Sequence, residues 1–136
     1  MNRKTISLNT SILFAVLVGV SLAPLGCAPT LVGENTAAYS MGRLHARIDR
    51  DMNSVYEASV KALEALEITV TEKKKDVFTA RVAGKTADER SITIRIEPEG
   101  DSSTLLSIRT GVMGDETEAR ARAIYDKIRE ILGATG

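Results

Sequence analysis

The chain has 136 residues, with 18 basic and 18 acidic side chains and no net formal charge. This length indicates a single domain, and the balanced charge gives no overall bias toward nucleic acid. The single cysteine, Cys27, excludes an internal disulfide and a cysteine-based zinc site.

The first 26 residues have the layout of an export signal. Arg3 and Lys4 precede an uncharged apolar run, ILFAVLVGV, at residues 12–20. The run is too short to span a bilayer, which takes about 20 apolar residues. Pro24 and Gly26 oppose its continuation as a helix. We therefore predict that residues 1–26 are a signal peptide outside the folded domain.

The end of this segment, Leu25-Gly26-Cys27, resembles a bacterial lipoprotein signal. In such proteins the cysteine thiol receives a diacylglycerol, the signal is cleaved before the cysteine, and the new amine is usually acylated. The resemblance implies cleavage between Gly26 and Cys27 and a membrane anchor of acyl chains such as palmitate. The usual pattern has leucine and a small residue where this chain has Pro24 and Leu25. The alternative is a cleaved secretory signal with an incidental cysteine.

The residue after the cysteine bears on location. Ala28 stands where Asp would resemble an inner-membrane retention signal. We therefore expect the bacterial outer membrane, with the domain facing the periplasm. Residues 27–37 are predicted to be the lipidated cysteine and a flexible tether, since Pro29 and Gly33 interrupt them. Residues 38–133 are predicted to be one domain.

Periodicity predicts the elements of that domain. Leu44, Ala46 and Ile48 alternate with polar residues, which indicates a strand, and Gly42 marks a change of phase where a β-bulge is expected. Apolar residues at helical spacing over residues 52–66 predict an amphipathic helix with Asp51 as its N-cap.

The second half is predicted to hold four more strands and a helix. Ile68 begins the second strand, Lys73–Asp76 is expected at a hairpin tip, and Phe78 is expected on the inner side of the third strand. The fourth and fifth strands are centred on residues 92–96 and 106–112. The last helix should run from about residue 116 to 132. Its expected features are an Asp115–Glu118 capping box, a stop at Gly133 and a buried stripe of Ala121, Ile124, Ile128 and Ile131.

The order β-α-β-β-β-β-α favours an α+β fold, because each strand has one apolar face and each helix one apolar stripe. We predict a two-layer sandwich with a five-stranded antiparallel sheet, strand order 1-5-4-3-2, and two helices on one face.

Several segments carry a family resemblance: AYSMGRLHARID, VYEASVKALEALEITVTEKKKD, RSITIRIEP and SIRTGVMGDE. They resemble a family of small bacterial lipoproteins catalogued as a domain of unknown function. The resemblance covers most of the chain after Cys27 and brings no established activity or catalytic residues. Glu67 departs from it, because such sequences often have Gly closing the first helix.

The sequence contains no Gly-rich phosphate loop, nucleophile elbow or paired His/Glu metal spacing. We therefore expect no enzyme, no cofactor and no metal site. The sole histidine, His45, is expected on the solvated side of a strand. The acids of Gly114-Asp115-Glu116 are explained by the start of the last helix.

Strand alternation also predicts a basic sheet face, which is the one candidate binding site. Its members are expected to be Arg43, His45, Arg47, Lys73, Arg81, Lys85, Arg95 and Arg109. We expect a lipid-anchored interaction or structural domain with an envelope protein as partner and no role with nucleic acid. The alternative is a module for an anionic small molecule, lipid headgroup or glycan. The alternative to any binding role for this face is a solvated Thr/Arg surface.

Overall fold

The computed structural model describes residues 36–111 and 115–134. The elements are β1 (Ala37–Ser40), β2 (Arg43–Ile48), α1 (Met52–Ala65), β3 (Thr69–Lys75), β4 (Ala80–Lys85), β5 (Ser91–Glu99), β6 (Ser103–Thr110) and α2 (Asp115–Ala134). The predicted signal peptide, its cleavage site, Cys27 and nearly all of the tether lie outside the described residues.

The α+β class, the antiparallel sheet and the two helices are confirmed, but the sheet has six strands and not five. Its order is β1-β2-β6-β5-β4-β3. The extra strand is β1, which pairs with β2 so that Tyr39 lies opposite Leu44. The other five strands follow the predicted order.

The predicted β-bulge at Gly42 is wrong, because the change of phase there marks a reversal of the chain. Met41 has a φ of 50° and Gly42 a φ of 75°. Positive φ at both central residues is typical of a type I′ turn, whose twist suits a two-residue hairpin. β1 and β2 are therefore the two arms of a tight hairpin.

A single aliphatic core lies between the sheet and both helices. Alternate residues of the strands, such as Leu44 and the fully buried Ile92, Ile94 and Ile96, face Val55, Leu63 and Ile124 of the helices. The two helices contact each other and the sheet. Burial of each large aliphatic side chain contributes about 1.5–3 kcal/mol, so this layer drives folding. Neither described helix covers the opposite side of the sheet.

Helix α1 has well-defined ends. Asp51 is confirmed as its N-cap, since its Oδ1 accepts hydrogen bonds from the backbone N–H groups of Asn53 and Ser54, both at 3.0 Å. At the other end, Glu67 adopts a φ of 57°. The N–H of Ile68 bonds to the carbonyl of Leu63, and that of Glu67 to Glu64. This is a Schellman motif with a glutamate where glycine is usual.

Helix α2 runs two residues further than its predicted end at residue 132. It continues through Gly133 to Ala134, so the predicted stop at Gly133 is wrong; glycine disfavours a helix by about 1 kcal/mol without ending it. Ile131 is only half-buried, and Leu132 takes its place in the stripe together with Tyr125. The Asp115 side chain lies outside the description, so the capping box stays a prediction. Glu118 pairs with Arg122 one turn along.

The β3–β4 hairpin differs from its prediction in phase and in length. The register shifts between Val70 and Glu72, so that Thr71 is an extra residue and the strand continues to Lys75. The predicted tip at Lys73–Asp76 is therefore wrong, and so is the inward placement of Phe78, which is 81% exposed in the turn.

The bulge lies beside Gly84, where a Cβ would come within 2.9 Å of Ile68 Cγ2.

Candidate functional site

The side of the sheet away from the helices, called the open face below, carries the candidate site. Strand alternation places eight cationic or titratable side chains on it, from all strands except β1. They are Arg43, His45, Arg47, Lys74, Arg81, Lys85, Arg95 and Arg109. Seven of the eight predicted residues are therefore on this face.

Lys73 is not on the open face, and its predicted placement is wrong. It lies opposite Val82, a fully buried core residue, while Lys74 lies opposite Arg81. Side chains alternate between the two faces of a sheet. One extra residue in a strand therefore moves every later side chain of that strand to the opposite face. The bulge at Thr71 therefore substitutes Lys74 for Lys73. Lys75 follows Lys73 to the helix side, where it lies over the Tyr56 ring at 5.2 Å.

The register brings the basic side chains together in two neighbouring rows. One row crosses five strands through Lys74, Arg81, Arg95, Ser107 and His45. The next row crosses them through Glu72, Ala83, Thr93, Arg109 and Arg43. Arg81 thus lies directly opposite Arg95, and Arg43 opposite Arg109. Like charges in such positions destabilise a sheet.

Four of these cations are matched by acids. Arg95 pairs with Glu97 at 2.7 Å, Lys74 with Glu72 at 3.2 Å and Lys85 with Glu89 at 3.0 Å. The fourth, Arg47, lies between two carboxylates, which leaves the Arg47 end of the face close to neutral.

The Nε atom of Arg47 forms ion pairs with two carboxylates. Its N–H does not point at either carboxylate closely enough to count as a hydrogen bond. This atom lies 3.1 Å from Glu99 and 3.6 Å from Asp49, and it is buried without a hydrogen-bond partner. Its terminal nitrogen donates to Ser103 at 3.5 Å. The two nearby carboxylates still neutralise the Arg47 charge, because Coulomb attraction depends on the distance between the charges.

Three arginines of the open face have no carboxylate partner within the described residues: Arg43, Arg81 and Arg109. They are called the unpaired arginines below. They surround a shallow depression of about 400 Å³, together with Lys74, Arg95, Thr93 and Ser107. Asp76 is the acid on its rim. The depression can therefore offer several guanidinium donors and hydroxyl groups to one anionic group.

A second depression of about 500 Å³ adjoins the first and shares Arg43, Arg95 and Ser107 with it. His45, Glu97 and Leu105 also line it. Residues 36–111 and 115–134 contain no group of three His, Cys, Asp or Glu side chains placed to hold an ion. The part of the chain that the structure describes contains no helix suited to crossing a membrane.

The side chains of Asp88 and Tyr125, which lie away from the open face, have shifted pKa values. The Thr86 hydroxyl lowers the pKa of Asp88, and burial raises the pKa of Tyr125. Neither residue belongs to the open face.

Fold and site together define a small α+β domain in which two helices cover one side of an antiparallel sheet and arginines occupy the other. The chain belongs to the family described as "Protein of unknown function (DUF3568)", whose model matches residues 6–130. Among curated proteins, none matches this sequence.

Three structural features were not predicted from the sequence. Lys74 was missed because the bulge that turns it outward depends on the neighbouring strand. The exposure of Val77 and Phe78 was not predicted, because an apolar residue beside a run of alternating apolar and polar residues is usually assigned to a strand. The acids Glu72 and Glu99 on the open face were missed as well.

Proposed function

We propose that this protein is a lipid-anchored component of the bacterial cell envelope whose domain binds an anionic partner through the open face. The unpaired arginines carry this proposal. Each guanidinium is permanently charged and has the geometry to bind carboxylate or phosphate oxygens in pairs. Arg43 and Arg109 add repulsion across β2 and β6, which an anion bound between them would relieve.

The anchor is proposed at Cys27, with cleavage after Gly26. The family match begins at residue 6, so it includes the apolar run and Cys27 along with the domain. That continuity supports a shared N-terminal arrangement in the family. Ala28 supports the outer membrane, with the domain in the periplasm.

We propose that the domain has no catalytic activity and that its partner is an acidic protein surface. The open face extends over five strands, and its cations lie in rows rather than around a deep cleft. Such a surface suits docking of another extended surface, where complementary charge provides orientation and a fast encounter.

A second candidate is an anionic small molecule, lipid headgroup or glycan. The depression of about 400 Å³ among the unpaired arginines favours this candidate, because its size suits a single anionic group with a few neighbouring atoms.

Charge reversal tests both candidates. The variant Arg43→Glu/Arg81→Glu/Arg109→Glu removes the unpaired arginines. The control Arg50→Glu/Lys61→Glu/Lys73→Glu makes the same change in net charge with exposed residues away from the open face. Both variants are compared with the wild type after crosslinking in intact membranes.

The proposal expects the wild type and the control to retain the same crosslinked protein and the open-face variant to lose it. Loss of a co-purifying lipid or glycan from the open-face variant alone would support the second candidate. Equal retention of every partner by all three proteins, with unchanged thermal melts, would reject a role for the open face.

A further inference from the structure

The turn between β3 and β4 presents two apolar side chains to solvent. Val77 is 80% and Phe78 81% exposed. Among the described residues, Met41 is the only other large apolar side chain with comparable exposure. Phe78 is one of two phenylalanines in the chain, and it lies outside a core made mainly of aliphatic residues. We call residues 76–79 the apolar tip.

The apolar tip is held in shape by its own hydrogen bonds. Asp76 Oδ1 accepts from the backbone N–H groups of Phe78 at 2.7 Å and Thr79 at 2.9 Å. The N–H of Asp76 in turn donates to the carbonyl of Thr79 at 2.9 Å. An Asp that bonds the backbone two and three residues on is a common turn device. The turn itself therefore directs Val77 and Phe78 outward.

The register places the apolar tip at the end of the sheet where the chain enters the domain. One cross-sheet row joins the first residue of β1 to the first residue of β4, through Ala37, Ala46, Leu106, Ile96 and Ala80. The residue before this row, Thr36, is hydrogen-bonded to Arg47 at the same end. Met41, by contrast, lies in the β1–β2 turn at the opposite end.

The apolar tip and the lipid at Cys27 can reach the same bilayer surface. Six strands about 4.8 Å apart separate the sheet edges by about 24 Å. Residues 28–36, between Cys27 and β1, can extend over at most about 30 Å at about 3.4 Å per residue. A bilayer that holds lipid at Cys27 is thus within reach of the end of the sheet that carries the apolar tip.

We propose that Val77 and Phe78 insert into the interfacial layer of the same bilayer that holds the Cys27 lipid, as a second point of attachment. The inference rests on the lipid anchor of the proposed function. An apolar tip preceded directly by lysines suits this layer, where the apolar groups enter the acyl boundary and ammonium groups remain among phosphates.

The charges around the tip limit the contact to one corner of the domain. Lys73, Lys74 and Lys75 lead into the tip and are exposed. Acidic residues at the same end, including Asp49, Glu99 and Asp101, lie on the β2–α1 and β5–β6 connections. These acids lie on connections separate from the apolar tip, so the bilayer contact is limited to the corner of the sheet formed by β3 and β4.

The chain contains no tryptophan, so a single substitution creates a unique fluorescent reporter. The test uses the full acylated protein with Phe78→Trp, reconstituted in vesicles of phosphatidylethanolamine and phosphatidylglycerol. The matched control is Met41→Trp, which replaces an apolar side chain that is 95% exposed at the opposite end. Lipids brominated on the acyl chains serve as quenchers, and mass spectrometry verifies the lipid at Cys27.

We expect the emission of the Phe78→Trp protein to shift to shorter wavelength in vesicles and to be quenched by brominated lipid. The Met41→Trp protein should retain the emission of a water-exposed indole without quenching. An acylated Phe78→Trp protein that behaves like the Met41→Trp control would overturn the insertion while leaving the anchor intact. Absence of lipid at Cys27 would overturn the anchor and the insertion together.

Discussion

Arg43 of β2 lies directly opposite Arg109 of β6, and neither guanidinium has a carboxylate partner in the described part of the chain. Two like charges facing each other across a strand pair weaken the sheet. Their presence on the open face is therefore not explained by stability. It fits a surface that is completed by an anionic partner.

We therefore expect Arg109→Gln to raise the free energy of unfolding by about 0.5 kcal/mol at low salt, because it relieves the repulsion with Arg43. The gain should shrink at high salt, where exposed charges are screened. Urea unfolding at two salt concentrations measures it. The control Arg122→Gln removes the i,i+4 pair with Glu118 and should slightly reduce stability. A larger loss from Arg109→Gln than from Arg122→Gln would contradict the repulsive pair.

The bulge at Thr71 predicts different roles for two adjacent lysines. Lys74→Glu should reduce retention on immobilised polyglutamate, because Lys74 lies beside Arg81 on the open face. Lys73→Glu makes the same charge change on the other side of the sheet and should have a smaller effect. The salt concentrations at which the two variants elute are compared, and Lys74→Glu should elute at the lower concentration. Equal elution, or a greater effect at Lys73, would show that the open face does not govern retention.

The left-handed residue after α1 offers a direct test of helix termination. Glu67 has a φ of 57°, a conformation that disfavours a residue with a Cβ by roughly 1 kcal/mol. Glu67→Gly should therefore raise the free energy of unfolding by about 0.5–1 kcal/mol. The control Glu64→Gly, in the last turn of the same helix, should lower it by a similar amount. Thermal melts that shift in the same direction for both variants would contradict the assigned Schellman motif.

The N-cap of α1 should make stability depend on pH in the acid range. Hydrogen bonds from the Ser54 hydroxyl, then from the Ser54 N–H, lower the pKa of Asp51 below its ordinary value of 3.8. The unfolded chain therefore takes up this proton more readily than the folded chain. The stabilisation is present above about pH 4 and is lost as the pH falls through the folded-state pKa.

Asp51→Asn separates the cap from its charge. Asn caps helices about as well as Asp and does not titrate, so the variant should keep most of its stability at neutral pH. It should lose less stability than the wild type between pH 5 and about pH 2. Asp51→Ala should lose about 1 kcal/mol at neutral pH. Parallel pH profiles for the wild type and the Asn variant would exclude Asp51 as a source of the acid dependence.

The parts of the fold that follow from local pattern were predictable. Ile92, Ile94 and Ile96 alternate with polar residues, and all three are fully buried. Asp51 stands just before a helical period and caps that helix. In both cases a few consecutive residues determine the structure, because burial and capping act over one strand or one turn.

The incorrect predictions have two kinds of cause: contacts with a neighbouring strand, and local segments that are too short to show a period. Lys73 was placed on the wrong face because the bulge at Thr71 occurs where β3 passes closely by Gly84 of the neighbouring strand. β1 was missed because four residues are too few to establish a period. Phe78 was assigned to the core from its apolar character, whereas Asp76 bonds its backbone into a turn.

The most direct test of the lipid-anchored account is mass spectrometry of the protein extracted from the membrane fraction of cells that express it. We predict that the N-terminal peptide begins at Cys27 and carries a diacylglycerol on the thiol together with an acyl chain on the amine. Cys27→Ala should abolish both modifications. An unmodified N-terminal peptide, whether it retains residues 1–26 or begins elsewhere, would contradict the account.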